Sequence, residues 1–296
     1  MHLSGSITAL ATPFTVAGEI DFVAWRRLLD AQLAGGTSAV VVAGSTGEAA
    51  TLSDQEYSRL IEAAVAQIGG RIPVLAGSGL SGTAKTIAQT RLARSSGADV
   101  ALVVTPPYVR PTQAGLVAHY WEVAEHGGLP LVLYNVPGRT GCDLLPETVA
   151  RLAGHQNIVG LKEAGGDESR WQALYPLASS QFALLSGDDP TFVRAIRGGA
   201  AGVISVASNV VPRAFSAICR WLQAGEFDKA EALDLRLQAL YDFLGVESNP
   251  IPLKAILHRM GVGAGLRLPL LSLSAIHADL ADRITQLCHD IETQLQ

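Results

Sequence analysis

Short apolar runs rich in β-branched residues alternate with longer helical segments from near the start of the chain. Eight such runs are present, at residues 6–9, 39–42, 73–76, 100–104, 131–134, 158–162, 183–186 and 202–205. Strands that alternate with helices pair in parallel. Open doubly wound sheets more often have about five or six strands, whereas eight βα units spaced roughly 30 residues apart are typical of a closed barrel. We therefore predict an α/β fold, a (β/α)8 TIM barrel.

Helical segments follow the eighth strand in greater number than closure of a barrel requires. They cover residues 212–224, 227–245, 251–260 and 274–295. No linker rich in Pro, Gly or Ser separates them from the barrel, and their amphipathic pattern indicates packing on it or on another subunit. We predict a catalytic barrel at 1–225 and a C-terminal helical extension packed on the barrel at 226–296. Earlier in the chain, Ser53 and Glu56 have the spacing of a capping box at a helix start.

The composition narrows the classes of partner. The chain has 22 basic and 27 acidic residues, a net charge of −5, and no basic run that would attract nucleic acid. Cys142, Cys219 and Cys288 are odd in number and lack C-x-x-C spacing, which argues against a disulfide framework and a zinc site. They are typical of reduced thiols in a cytoplasmic protein. No apolar stretch approaches the ~20 residues that cross a bilayer, so we expect no membrane insertion.

Lys162 ends the sixth apolar run, in a chain with only four lysines. An amine held against apolar surface loses its charge more easily than one in water, and a neutral amine attacks carbonyls. A lysine that extends to solvent from a strand end is the structural alternative. Tyr134 ends the neighbouring fifth strand, where a core role is common, but its phenol could also transfer protons beside a carbonyl-bound amine.

Two further features suggest that the substrate carries carboxylates. Residues 44–47 (GSTG) follow the second strand, where glycines and hydroxyls can bind an anion, although a plain tight turn is equally compatible. The lysine of a P-loop is lacking, which disfavours a nucleotide. Arg139 follows the fifth strand in a Pro-Gly loop, where its planar guanidinium suits a second carboxylate, with an ordinary exposed arginine as the alternative.

A metal centre is disfavoured by the pattern of histidines. The seven histidines form no H-x-H or H-E-x-x-H motif. His119 and His126 could share one helix face, where structural or surface roles are the simpler interpretation. We expect Lys254, early in a helix of the extension, to extend its ammonium to solvent. The combined pattern predicts a class I aldolase type of lyase, in which an amine captures a 2-oxo acid as a Schiff base and the enamine attacks an aldehyde.

Four motifs resemble the pyruvate-dependent lyase family of dihydrodipicolinate synthase and N-acetylneuraminate lyase. They lie at residues 44–48 (GSTGE), 134–141 (YNVPGRTG), 160–164 (GLKEA) and 186–189 (SGDD). The likeness runs from about residue 4 to about residue 290 and keeps order and spacing, which makes chance agreement negligible.

The resemblance implies a role for each catalytic side chain. Lys162 would form the Schiff base with pyruvate, Tyr134 would transfer protons, and Ser45 with Tyr108 would complete a hydroxyl relay. The equivalent of Tyr108 crosses from a neighbouring subunit in the family. The resemblance therefore implies a homo-oligomer whose minimal unit is a dimer, commonly doubled into a tetramer, with no cofactor beyond the covalent pyruvate adduct and with no metal.

The resemblance also implies the binding residues and the acceptor substrate. Thr46 would bind the pyruvate carboxylate, and Gly187 and Ile204 would line the pocket through their backbones. Arg139 matches the arginine that holds the carboxylate of L-aspartate-4-semialdehyde. The implied reaction gives 4-hydroxy-tetrahydrodipicolinate, a precursor of diaminopimelate and lysine.

Two other functions stay open. A sister aldolase that cleaves N-acetylneuraminate or a 2-keto-3-deoxy acid would share Lys162 and Tyr134 but has less use for Arg139. A non-catalytic oxo-acid sensor would not need the full set of Lys162, Tyr134, Ser45 and Tyr108.

The chain departs from the family at two places. Many members have threonine at the position of Ser45, and serine keeps the hydroxyl that the relay needs. The site that binds lysine in feedback-inhibited members is also altered, and the matching positions are Ala49, Ala50, Asp54, Tyr57, Ser81, Lys85 and Pro107. The ammonium of Lys85 would repel that of the effector, so we expect weak or absent inhibition by L-lysine.

Overall fold

A closed barrel of eight parallel strands forms the centre of the molecule, as a computed structural model describes it for residues 3–165 and 167–296. The strands are β1 (Gly5–Ala9), β2 (Ala39–Val42), β3 (Val74–Gly77), β4 (Val100–Val104), β5 (Leu131–Asn135), β6 (Ile158–Glu163), β7 (Ala183–Ser186) and β8 (Gly202–Ser205). They pair in sequence order, and β8 closes on β1. The predicted TIM barrel is confirmed.

Helices surround the barrel, and additional helices follow it. They are α1 (Phe22–Ala34), α2 (Asp54–Ile68), α3 (Thr83–Ser95), α4 (Gln113–His126), α5 (Pro137–Thr140), α6 (Pro146–Leu152), α7 (Glu168–Leu174), α8 (Phe192–Gly198), α9 (Pro212–Gln223), α10 (Phe227–Leu244), α11 (Ile251–Arg259) and α12 (Ala278–Gln294). The predicted capping box is confirmed at the start of α2, where the Ser53 hydroxyl accepts from the Glu56 N–H and the Glu56 carboxylate accepts from the Ser53 N–H.

Apolar side chains fill two regions of the core because strand side chains alternate between the faces of the sheet. Inside the barrel, Ile7, Leu75, Val132 and Leu185 pack together. The opposite face of the strands packs on the helices, where Trp25 and several other large side chains are fully buried. This packing fixes the strand ends, and therefore the side chains that the strand ends carry.

The last helices of the chain contact the helix that follows β8. Helix α10 lies against α9, and α12 contacts both α9 and α10. Glu292 on α12 accepts from the backbone N–H groups of Arg213 and Ala214 at the start of α9, which satisfies donors that a helix start leaves free. Within residues 3–165 and 167–296, no helix has the length and apolarity needed to cross a membrane.

Candidate active site

A cavity of about 330 Å³ opens at the carboxyl ends of the strands. Its wall includes loops that follow β2, β5 and β7, together with the ends of β5 and β6. Among its lining residues are six of the predicted site residues: Ser45, Thr46, Tyr134, Arg139, Lys162 and Gly187. The extension supplies part of the wall through Tyr241, Leu244, Gly245 and Asn249. The carboxyl ends of the strands are where barrel enzymes place their active sites.

Lys162 lies on β6 directly beside Tyr134 on β5 in the parallel register. Its side chain is 5% exposed, and its Nζ lies 4.4 Å from the centre of the Tyr134 ring. Burial lowers the pKa of Lys162 from 10.5 to about 8, opposed by the charge of Asp189 and assisted by that of Arg139. A minority of this amine is therefore neutral near neutral pH, far more than for a lysine in water, and the neutral form is what attacks a carbonyl.

Gly187 allows the Lys162 side chain to reach the cavity. A Cβ on Gly187 would lie 2.8 Å from Lys162 Cε and 3.2 Å from Ala164 Cβ, both well inside normal contact distance. Glycine is required here for space and not for backbone conformation. Gly187 also donates its N–H to the Glu163 carbonyl at 2.7 Å, which ties this loop to the end of β6.

The Tyr134 phenol is buried in the same wall. Burial raises its pKa, while the Arg139 guanidinium and the Ser45 hydroxyl act in the opposite direction. A phenol that stays protonated near neutral pH can donate a proton to an oxygen bound at the neighbouring amine and recover it later. Ser45 is exposed at the mouth of the cavity, on the same side as this phenol.

The predicted anion-binding turn folds back on itself after β2. Gly47 donates its N–H to the Gly44 carbonyl, and Glu48 donates its N–H to the Ser45 carbonyl, both at 3.1 Å. Thr46 is buried, and its Oγ1 accepts from Asn249 Nδ2 at 3.0 Å. Because the hydroxyl accepts from Asn249, its own hydrogen is left to donate to a carboxylate in the cavity.

Arg139 lies in α5 at the rim of the cavity. Its guanidinium is exposed, lines the cavity, and donates to the Asn249 carbonyl at 3.3 Å. The guanidinium carries five donors, so the single hydrogen bond to Asn249 leaves further donors for a ligand carboxylate.

Two predicted site residues lie outside the cavity wall. Ile204 on β8 is fully buried in the apolar cluster inside the barrel that also contains Tyr134. Tyr108 is 92% exposed and has a positive φ of 74°. Its backbone N–H donates to the Thr140 carbonyl at 3.0 Å, and its side chain is exposed to solvent and does not line the cavity.

The expectation for Lys254 is wrong. Its side chain is 5% exposed, and its ammonium forms an ion pair with Glu48, whose own side chain is fully buried. The ammonium also lies 4.2 Å from the centre of the Phe14 ring. Glu48, 206 residues earlier in the sequence, takes the place of the water that would otherwise solvate the ammonium of Lys254.

Asp189, Tyr241 and Asn249 line the cavity, but the sequence analysis assigned them no role. Asp189 is buried, its Oδ2 accepts from the N–H groups of Val206 and Ala207, and burial raises its pKa to about 6. Tyr241 comes from α10, and Asn249 comes from the segment before α11. Asp189 follows β7, so the barrel pattern could have placed it at the carboxyl ends of the strands, where active sites lie. Nothing in the sequence indicates that Tyr241 reaches the cavity.

His119 and the carboxylates form no metal centre in the part of the chain that the structure describes. No group of three or more His, Cys, Asp or Glu side chains is placed to hold an ion among residues 3–165 and 167–296. His119 instead bonds through Nδ1 to the Thr83 hydroxyl at 3.0 Å, and burial lowers its pKa to about 4.

Known proteins resemble this chain along nearly its whole length. The model of the dihydrodipicolinate synthetase family matches residues 2–287. The 4-hydroxy-tetrahydrodipicolinate synthase of Xanthomonas axonopodis pv. citri is 63% identical over 284 residues, which cover 96% of this chain and 94% of that protein.

Solved structures give the same result. The chloride-inhibited dihydrodipicolinate synthase of Acinetobacter baumannii, complexed with pyruvate, is 41% identical with a TM-score of 0.94, over 97% of this chain and 99% of that one. A monomeric dihydrodipicolinate synthase variant is 39% identical with a TM-score of 0.94, over 97% of each chain. The shared barrel, the match along nearly the whole sequence and the buried lysine all lead to one conclusion: this chain belongs to the dihydrodipicolinate synthetase family.

Proposed function

We propose that this protein condenses pyruvate with L-aspartate-4-semialdehyde to give 4-hydroxy-tetrahydrodipicolinate, through a Schiff base on Lys162. The observation that carries the proposal is a buried amine with a pKa of about 8 that lies 4.4 Å from the centre of a tyrosine ring. The high identity to 4-hydroxy-tetrahydrodipicolinate synthase from Xanthomonas axonopodis supports the choice of substrates.

The first steps use the neutral amine of Lys162. Its nitrogen attacks C2 of pyruvate, and the resulting carbinolamine loses water to give an iminium ion. Loss of a proton from C3 converts the iminium into an enamine. The enamine carbon then forms a bond to the aldehyde carbon of the second substrate, and the aldehyde oxygen takes up a proton. Attack by the acceptor's own amino group on the former C2 closes the ring and releases Lys162.

Tyr134 is the proposed proton carrier for these steps, because its phenol is buried, protonated and adjacent to Lys162. Ser45 and Tyr108 are proposed to connect it to solvent. Since Tyr108 is 92% exposed on its own chain, we propose that a second copy of the chain supplies this hydroxyl. The active unit is then a dimer, and two dimers form a tetramer.

Two carboxylates are bound at separate points. Thr46 is proposed to donate to the pyruvate carboxylate from the turn after β2, and Arg139 to bind the carboxylate of the aldehyde at the rim. Gly187 leaves space for the adduct, and Ile204 supports the wall from inside the barrel.

The chemistry of these side chains needs no further group, so we propose that the enzyme works without a cofactor or metal. The buried free thiols of Cys142, Cys219 and Cys288 support a reducing, cytoplasmic location.

We also propose that residues 1–225 form the catalytic barrel and that 226–296 form an extension, whose Tyr241 and Asn249 complete the cavity.

Borohydride trapping tests the proposal. With pyruvate present, reduction should fix a covalent adduct on Lys162, identified by peptide mass spectrometry. Lys162→Arg should abolish the adduct and turnover because a guanidinium stays charged, whereas Lys85→Arg, at an exposed lysine, should leave both unchanged. Lack of labelling at Lys162 in the unmodified protein would contradict the mechanism. Comparison of aspartate semialdehyde with sugar acids as substrates separates this function from that of a sister aldolase.

A further inference from the structure

Glu48 ends the anion-binding turn in an unfavourable environment for an isolated carboxylate. Its backbone has a positive φ of 53°, which a residue with a side chain adopts only when its surroundings hold it there. Its side chain is fully buried; the Lys254 ammonium donates to one carboxylate oxygen, and the backbone N–H of Arg267 donates to the other at 3.0 Å. These two partners compensate the buried charge of the carboxylate.

Both partners of the Glu48 carboxylate come from the C-terminal extension. Lys254 lies in α11, and Arg267 lies in the loop after it. Phe14 packs between these two cations, with Lys254 Nζ at 4.2 Å and Arg267 Cζ at 4.3 Å from the ring centre. Arg267 is itself held by Glu56 on α2 and by the carbonyls of Gly18 and Thr51. The Arg267 side chain is therefore held in place by contacts other than Glu48.

The same stretch of the extension also holds the middle of the turn. Asn249 donates to the Thr46 hydroxyl at 3.0 Å, and five residues later Lys254 pairs with Glu48. Lys254 donates its N–H to the Pro250 carbonyl, so one helical turn joins the two attachment points rigidly. We call the set of Glu48, Lys254, Asn249 and Thr46 the turn clip.

We propose that Glu48 and Lys254 are positioning residues that hold the turn after β2 in the conformation that binds the carboxylate of the 2-oxo acid. The inference rests on the proposed function, since it assigns Thr46 to that carboxylate. Neither Glu48 nor Lys254 lines the cavity; they act through the backbone of the turn.

The turn clip affects the binding of pyruvate more than the chemical steps that follow. Without Lys254, the buried Glu48 carboxylate lacks its main counter-charge, and the turn relaxes toward a conformation that hydrates it. Thr46 then moves relative to Lys162, and the carboxylate loses its donor. Once pyruvate has formed the covalent adduct, Lys162 and Tyr134 still hold the reacting atoms. Loss of the clip should therefore raise the pyruvate concentration for half-saturation and change the limiting rate little.

Pyruvate titration of the full-length protein tests the clip, with borohydride trapping of the adduct and steady-state condensation as readouts. For Lys254→Met and for Glu48→Gln, the half-saturating pyruvate concentration should rise on the order of tenfold, with a limiting rate within about threefold of the unchanged protein. The double variant should show a similar rise and not the product of the two, because the pair acts as a unit.

Arg213→Met is the matched control. It removes another ion pair between the barrel and the extension, to Glu292, outside the cavity, so its half-saturating pyruvate concentration should not change. Circular dichroism identifies the folded variants, and Glu48→Gln, which keeps the shape of the side chain, serves if Lys254→Met does not fold. Unchanged half-saturation in the folded variants overturns the inference alone. An absence of adduct in the unchanged protein overturns the proposed function and the inference together.

Discussion

Lys162 illustrates how neighbouring charges set the reactivity of a single amine. Burial lowers its pKa most, while Asp189 and Arg139 act in opposite directions and partly cancel. The net pKa of about 8 leaves the amine predominantly charged at neutral pH but with a reactive minority in the neutral form.

The rate of adduct formation should therefore depend on pH in a defined way. Because only the neutral amine attacks pyruvate, the rate should rise about tenfold per pH unit on the acid side and level off above a pKa of about 8. Stopped-flow or quenched trapping well below saturating pyruvate measures this profile, because the second-order rate constant reports the pKa of Lys162 in the free protein. A limb that continues to rise toward pH 10 would indicate a lysine with an ordinary pKa and contradict the burial of Lys162.

Gly187 should tolerate no side chain. A methyl group there would lie 2.8 Å from Lys162 Cε, so Gly187→Ala should displace the amine and lower kcat/KM on the order of a hundredfold. A steady-state condensation assay measures the loss. Gly154→Ala is the control, because a Cβ at Gly154 meets no atom within 4 Å. Equal activities of the two variants would show that the contact at Gly187 is relieved without cost.

At the scale of elements, the ends of β5 and β6 are joined by a polar network on the side away from the cavity. Asn135 donates to Glu163 at 3.1 Å and to Asp143 at 2.9 Å. Arg170 on α7 forms ion pairs with both carboxylates. Each of these strand-end residues directly follows a proposed catalytic residue, so the network fixes the separation of Tyr134 and Lys162.

Arg170→Met should destabilise the fold because it leaves Glu163, 1% exposed, without its counter-charge. We expect a loss of about 3 kcal/mol in the free energy of unfolding near neutral pH. Burial already raises the pKa of Glu163, and removal of Arg170 should raise it further. The loss should therefore shrink as the pH falls through that raised pKa, since a protonated Glu163 no longer needs a partner.

Urea unfolding at several pH values measures this effect. Lys229→Met is the control, because its ion pair with Glu226 is largely exposed and should contribute less than about 1 kcal/mol. A loss for Arg170→Met that is independent of pH would point to packing instead of charge.

The strands could be predicted well because buried parallel strands are nearly continuous apolar runs. Where the predicted bounds differ, they do so by one residue, as at Asn135 and Glu163, which are polar yet buried and paired. Lys162 and Tyr134 could be placed together because consecutive strands are neighbours in a barrel. The burial of Lys254 could not be predicted, because its partner Glu48 follows β2, 206 residues earlier in the chain.

At the scale of the whole molecule, regulation is expected to differ from that of lysine-inhibited relatives. Lys85 lies exposed on α3, and nearby Ser81 donates to the Pro107 carbonyl at 3.0 Å. The added ammonium should repel L-lysine, so condensation activity should be nearly unchanged by lysine. The condensation assay with and without lysine tests this expectation, and Lys85→Glu should bind lysine at least as well. A sub-millimolar inhibition constant for the unchanged protein would show the prediction wrong.

Tyr241, Leu244, Gly245 and Asn249 place part of the cavity wall outside the barrel strands and their loops. Part of the cavity wall therefore lies on a contiguous stretch of sequence that is separate from the strands that carry the amine and its phenol. Chimeras joined after residue 225 would take Lys162, Tyr134 and Arg139 from one parent, and Tyr241 and Asn249 of the cavity wall from the other.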